Sequence, residues 1–403
     1  MKKIWFLCAV MAFGACAMKS GDEPTIAPEG GGGAEGGYVD GDGGFGGGGS
    51  GGNEQAQAGK VTAGEWRDLD NWLFWSNLMT NEQADQNGTS YTSYSTYWGF
   101  FTNNRIAVRV LNASNEPQRD VAVQVKRGET ILFEGRTDNR GETNLFIGLT
   151  QQQTSVDSTT LALVVDGEPL AQPVSITKWG EDPKWNICTA SVAPTANIDI
   201  AFIVDATGSM SDEIDFLKAD LTNIITTVGA KHATANIRTA ALFYRDEGDD
   251  YLTRVSDFSE DLTVTTTFIS KQEADGGGDY PEAVHTALAE GLQKLSWRED
   301  NSIRLTFMLL DAPPHHESSV ISSLQTSIPL YAKAGIRIIP IAASGVDKPT
   351  EFFLRFAAMA TDGTYVFITN DSGVGEDHIA ATVGDYEIEL LNELIVRLID
   401  QYL

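Results

Sequence analysis

"NIDIAFIVDATGSMSDEI", residues 197–214, reads as an apolar strand that breaks into Asp205-Ala206-Thr207-Gly208-Ser209 and then into an acidic helix start. A run such as Ile198–Val204, with no polar interruption beyond Asp199, belongs to a strand buried on both faces, the usual state in a parallel sheet. The same texture returns in "NIRTAALFYRD", "IRLTFMLLD", "IRIIPIAAS" and "GTYVFIT". Between these runs Ile214, Leu217, Leu221, Ile224 and Val228 mark one helical face. Val284, Leu288, Leu292 and Leu295 mark another, with Pro281 at a favoured first-turn position. A closing helix carries Leu391, Leu394, Ile395 and Leu398. The alternation predicts an α/β fold over residues 196–403, a doubly wound, mostly parallel sheet with helices on both faces.

In such sheets ligands bind beyond the carboxyl ends of the strands, so Asp205 stands at the functional edge. Three chemistries compete for its loop. A phosphate cradle needs several glycines or a P-loop lysine, and only Gly208 is present. A phospho-aspartate hydrolase needs a second carboxylate two residues on, where Thr207 stands. The third is a hard cation, held by oxygens at positions 205, 207 and 209. One carboxylate and two hydroxyls are too little for Mg²⁺, which takes an octahedron of oxygens, so other strand ends must contribute. Asp279 in "ADGGGDYPEAVHTAL" and Asp311 in "TFMLLDAPPHH" are the candidates. Alone, each would serve as a helix cap or turn residue. Three acids at matching places of one sheet favour the metal. His315, His316 and His378 lack zinc-ligand spacing, and Ser209 lacks the G-x-S-x-G context of a nucleophile elbow.

The strand with D-x-T-x-S resembles the metal-ion-dependent adhesion site (MIDAS) of von Willebrand factor type A (VWA) domains, similar to their D-x-S-x-S pattern, with Thr207 keeping the hydroxyl. Where the family's next loop normally offers Thr, this chain has Asp279 in "GGGDYPEA", resembling the subset with hemicentin-like and α-kinase-linked A domains. Asp311 in "DAPPH" matches the family's final acidic ligand, and "IRIIPIAASGV" and "ATDGTYVFITNDSG" continue the match. The resemblance implies a Rossmann-like VWA domain and a bound Mg²⁺ (or Mn²⁺ or Ca²⁺). Thr207 and Ser209 would be direct ligands, Asp205 and Asp311 would act through water, and Asp279 would take either place. It further implies an open coordination position for a carboxylate from a protein partner.

Upstream the chain changes character. Residues 104–180 read as a small all-β sandwich: "RIAVRVLN", with Ile106, Val108 and Val110 on one face, then "VAVQVKRG", "TILFEGRTD", "NLFIGL" and "TTLALVVDGEPL", separated by turn signals. "TDNRG" before a strand resembles Ig-like or carboxypeptidase-regulatory-like modules, which implies a spacer. Residues 60–103 form an aromatic-rich subdomain with Trp66, Trp72, Trp75 and Trp98, read as aromatics capping their neighbours rather than a sugar-stacking platform. Residues 17–59 are a Gly-rich tether spanning roughly 35–40 Å as flexible coil. Residues 1–16 read as an export signal, with Lys2 and Lys3 before a short apolar stretch. "GAC" resembles a bacterial lipobox, which implies acylation of Cys16. Cys188 is then left unpaired, a buried and inert thiol.

A net charge of −28 with no basic stripe argues against a nucleic-acid partner. No general base, nucleophile or kinase-type region accompanies the strand-end oxygens, so a binding protein is expected rather than an enzyme. The expected membrane link is the N-terminal lipid only, on the outer membrane of a Gram-negative envelope. The alternative is a scaffold that uses the metal for stability alone.

Overall fold

Eight strands make the main sheet, in the order β11-β10-β9-β12-β13-β14-β1-β15. Its centre is β10 (Asn236–Tyr244), β9 (Asn197–Asp205), β12 (Ile303–Leu310), β13 (Ile336–Ala342) and β14 (Tyr365–Ile368), all mutually parallel. The edges are antiparallel: β11 (Thr253–Ser259) on one side, β1 (Thr62–Trp66) and β15 (Glu389–Leu390) on the other. The computed structural model describes residues 56–80, 90–193 and 197–403, which pack as one unit. The export signal, Cys16 and residues 17–55 of the tether lie outside the described residues.

Alternate residues of the central strands feed two cores, which explains the unbroken apolar runs. Ile198, Ile200, Phe202 and Val204 pack with α3 (Ile214–Lys231) and α8 (Leu391–Tyr402). Ile203, Leu242, Met308 and Ile338 face α5 (Val284–Gln293), α6 (Ser318–Lys333) and α7 (Lys348–Ala360). A short α4 (Leu262–Ile269) leans on β10 and β11. The expected mixed α/β architecture with a large, mostly parallel sheet is thus present.

The structure redraws three expectations. First, Thr62–Trp66 does not lie in a separate aromatic subdomain. It is a strand of the main sheet, paired to β14 from Ala63↔Ile368 to Trp66↔Tyr365. The following helices, α1 (Trp72–Thr80) and α2 (Tyr91–Trp98), bury Trp72, Trp75 and Trp98 to 1% exposure or less, against α7 and its neighbours. These aromatics are core. Second, the β unit runs past residue 180: β8 (Trp185–Thr189) joins β2 (Arg105–Leu111) and β5 (Glu142–Phe146) in one sheet. β3 (Ala122–Arg127), β4 (Thr130–Arg136), β6 (Leu161–Val165) and β7 (Glu168–Pro169) form the other. The β2–β8 pair is parallel, whereas immunoglobulin sandwiches use antiparallel sheets, so the likeness stops at two small β-sheets. Third, Pro281 lies ahead of α5, which begins at Val284.

The β unit is fastened to the main sheet. Arg304 of β12 reaches Asp120 through both Nη atoms, and Arg136 binds the same carboxylate at 2.6 Å. Buried Asp362 accepts from Thr143 Oγ1 (2.8 Å) and Asn144 Nδ2 (2.6 Å). Such buried polar contacts fix one arrangement because a shifted one strands a charge. Cys188 is free and buried, and burial pushes its thiol up to about 11.

Candidate metal-binding crevice

β9 delivers Asp205 to the carboxyl edge of the sheet, where it is fully buried. Its Oδ1 accepts from Thr207 N (2.9 Å) and Thr207 Oγ1 (2.7 Å). Thr207 Oγ1 is in turn 3.2 Å from Ser209 Oγ, and Ser209 is exposed. The loop is closed by a second one: Gly208 N donates to Gly276 O at 3.1 Å and Asp275 N to Ala206 O at 3.1 Å. A Cβ on Gly208 would lie 2.9 Å from Gly276 O, so the approach needs glycine there.

The same second loop brings in a carboxylate that sequence reasoning passed over. Glu282 N donates to Pro313 O at 2.8 Å, and residue 282 bridges to Pro314. This pulls "YPEA" off the helix axis and turns the Glu282 side chain inward, to 2% exposure. A Cβ on Gly277, whose φ is +70°, would lie 2.9 Å from Glu282 Oε1 and 3.3 Å from Thr207 Cβ. Glu282 therefore stands beside Thr207. Asp311, from the end of β12, is 4% exposed on the far side of the loop, near the Ser209 hydroxyl. Asp279, by contrast, is an exposed carboxylate.

Three carboxyl oxygens here are buried with no hydrogen-bond partner: Asp205 Oδ2, Glu282 Oε2 and Asp311 Oδ1. Burial pushes Asp205 up to about 6, against the Thr207 bonds and the nearby Tyr244 hydroxyl, which pull it down. Burial and then the Asp205 charge push Asp311 up to about 8. Burial, then Asp205, Asp246, Asp311 and Asp249, push Glu282 up to about 9. The charges that act most strongly on Glu282 are all negative. Such a site is short of a positive charge, and oxygen donors of this kind suit a hard divalent cation. Among the described residues, no three His, Cys, Asp or Glu side chains group closely enough to hold a metal by themselves. A cation here would need the Thr207 and Ser209 hydroxyls as well.

Two of the nearby histidines are occupied. His315 Nε2 is 2.8 Å from Asp246 Oδ1, and His378 Nδ1 is 3.0 Å from Asn370 Oδ1. Buried Glu213, at the start of α3, accepts from Ser344 N and Oγ at 3.0 Å each, tying the first loop to the one after β13.

Residues 199–330 match the von Willebrand factor A domain family. The chain contains a VWA-type domain. The match takes in Asp205, Thr207, Ser209, Glu282 and Asp311. A putative ariadne-like RING finger protein of Acanthamoeba polyphaga mimivirus is 35% identical over 124 residues, 31% of this chain and 12% of its own length. The alpha-protein kinase vwkA of Dictyostelium discoideum is 33% identical over 120 residues, 29% of this chain and 19% of its own length. The chain thus spans under a fifth of either relative. The crystal structure of the conserved hypothetical protein BatB from Bacteroides thetaiotaomicron aligns with a TM-score of 0.35 at 11% identity, over 51% of this chain and 98% of that chain. The VWA domain of this chain is not confined to the matched span, since β1 from the N-terminal side and β13 to α8 from the C-terminal side complete its sheet and helices.

Proposed function

We propose that the protein is an envelope-anchored binding protein whose VWA domain grips an acidic group on a protein partner through a divalent cation. The observation that carries this reading is the trio of buried, unpartnered acid oxygens on Asp205, Glu282 and Asp311 around the Thr207 and Ser209 hydroxyls. Leaving one such oxygen bare costs about 1–3 kcal/mol, and more when it is charged. Three together are best understood as donors to an ion. Thr207, Ser209 and Asp311 are the residues we assign to hold Mg²⁺, Mn²⁺ or Ca²⁺, with Asp205 orienting Thr207 and Glu282 lending charge. When bound, the ion supplies an electrophilic point to which a partner carboxylate binds. We place Asp279 on the rim. The N-terminal residues, read as a lipobox and tether, suit a body held off an outer-membrane surface. No catalytic role is proposed.

Calorimetric titration of Mg²⁺, Mn²⁺ and Ca²⁺ into the full chain tests this, beside Asp205→Ala, Glu282→Gln and Asp311→Ala. One-site binding that is lost in Asp205→Ala and Asp311→Ala is the expected result. Equal binding in all four proteins sinks the assignment. The same trio of bare acids also favours a second reading, in which the cation only stabilises the fold. In that case EDTA lowers the melting temperature but leaves partner capture unchanged.

A further inference from the structure

Trp66, the last residue of β1, pairs with Tyr365, the first of β14, so the end of β1 lies at the amino ends of the parallel strands, the edge opposite the crevice. A cavity of about 1030 Å³ lies there, with Thr364 just ahead of β14 in its wall. The rest of the wall comes from β1 and the turn after it, the β4–β5 turn, the segment ahead of β15 and α8. Asn139 Nδ2 donates to Gln401 O and closes the β unit against α8. Every residue lining the cavity lies outside the matched span 199–330. Ligand pockets measure about 300–1,000 Å³, so this one has room for a ligand of more than one ring.

Two polar groups in this wall are incomplete. Arg67 holds Asp70 through Nη1, while its Nε and Nη2 are buried with no hydrogen-bond partner among the described residues. Nε and Nη2 form the edge of a guanidinium that grips two oxygens side by side. In Arg355, Arg397 and Arg238 that edge is filled, by the carboxylates of Asp68, Glu389 and Asp199. Glu65, two residues before Arg67, accepts from Arg397 Nη1 (2.9 Å) at Oε1 and leaves Oε2 buried and bare. A bare donor pair and a bare acceptor beside one cavity suit an occupant that both accepts and donates.

Charge narrows the class of occupant. Six acids and three arginines line the cavity, and each arginine already has an acid: Arg67 on Asp70, Arg140 on Asp138 (3.2 Å) and Arg397 on Glu389 (2.6 Å). An anion meets the surplus acids, including the exposed Asp385 and Glu387. A cation leaves the Arg67 edge bare. A hydroxyl does neither, because it donates and accepts without charge. Tyr386 adds an aromatic surface: it stands edge-on to Phe367, with ring centroids 4.8 Å apart, and 44% of the residue is exposed. The negative face of such a ring attracts the C–H side of a sugar.

We propose that this cavity binds a neutral oligosaccharide. Two neighbouring hydroxyls accept from Arg67 Nε and Nη2, another donates to Glu65 Oε2, and a ring face lies on Tyr386. The Arg67 and Glu65 side chains are 12% and 29% exposed in the wall, so a small turn of each brings its bare atoms to the sugar. The site needs no metal and is independent of the crevice and of its proposed partner.

An array of immobilised mono- to tetrasaccharides, neutral, sialylated and sulfated, probed with the fluorescently labelled full chain in EDTA, decides it. Calorimetry then measures the neutral sugar that gives the strongest signal. Binding confined to neutral di- to tetrasaccharides is the expected result, weakened about tenfold in each of Arg67→Gln, Glu65→Gln and Tyr386→Ala. Tyr386→Ala changes an exposed ring and leaves the Arg67–Asp70 and Glu65–Arg397 pairs intact, so it decides the matter if the other two variants melt early. The absence of any neutral sugar bound in EDTA overturns the inference. A preference for sialylated or sulfated sugars overturns it too, because the surplus acids then do not govern the site. Binding of a neutral sugar that Tyr386→Ala leaves unchanged puts the sugar elsewhere on the molecule and overturns it as well.

Discussion

Two of the groups of buried carboxylates among the described residues are built on opposite plans. In one, under α7, the fully buried Arg355 grips Asp68 through Nε (2.9 Å) and Nη2 (2.6 Å). Its Nη1 reaches Tyr91 Oη (3.0 Å) and Thr382 O (2.6 Å), while Glu351 receives Lys348 Nζ (2.8 Å) and Thr382 N (2.6 Å). Each acid has a cation. In the other, at the end of β9, Asp205, Glu282 and Asp311 share no cation and leave three oxygens bare. The first group is complete and ties the N-terminal segment to the VWA domain. The second is incomplete, and incompleteness in a buried place marks function more sharply than burial itself.

Mutation should separate the two plans. The largest effect is expected for Arg355→Ala, which leaves Asp68 and Glu351 buried and short of charge. A loss of about 3–5 kcal/mol is expected, read by urea or thermal melts, and it should be the same with Mg²⁺ or EDTA. A melt as stable as the parent would mean the cluster does not hold the N-terminal segment.

A middle-sized effect is expected from pH. Asp205, Asp311 and Glu282 all have folded values above those of the unfolded chain. Between the unfolded carboxylate range near pH 4 and folded values of about 6, 8 and 9, the folded protein binds more protons. Stability of the metal-free protein should therefore fall as pH rises from about 5 to 9. Mg²⁺ should bind more tightly at the upper end, because the ligands must be deprotonated, and should flatten the fall. Melting curves in EDTA that are flat or rise over that range would contradict the proximity of the three acids.

The smallest effect is expected for Glu282→Gln at pH 7 in EDTA, a change within about 0.5 kcal/mol, because Gln resembles the protonated acid already present. At pH 9 the same variant should be the more stable protein. Its melting temperature should also respond less to Mg²⁺. A strong destabilisation at pH 7 would show that Glu282 has a partner, as Glu351 has in Lys348.

The contrast also explains what could be read from the sequence. The five parallel strands were legible because strands covered on both faces cannot avoid long apolar runs, and Asp205 and Asp311 were legible because such runs end in them. β1 was not: "TAGEW" is short, has a glycine at its centre, and finds its partners at Ile368 and Leu390, some 300 residues on. Glu282 was hidden for a different reason. It follows a proline at what reads as a helix start, where an acid is ordinary, and only the bridge to Pro314 turns it inward. Asp279 carried the stronger sequence signal because it follows the glycine run, yet the chain leaves it in solvent. Periodicity reports which face a residue occupies within an element, and it is silent where the element has not yet begun.

The place of β1 has a mechanical consequence. β1 runs antiparallel to β14, so its first residues lie beside Ile368, at the same edge of the sheet as the crevice. The crevice lies at that same edge beyond β9, with β12, β13 and β14 between it and β1. Tension between a hold on the chain ahead of Gly59 and a ligand seated at the crevice would therefore run across the strands. The rungs joining β1 to β14 would open one after another, as in a zip, with the Gly59–Asp220 hydrogen bond of 2.7 Å the first to give.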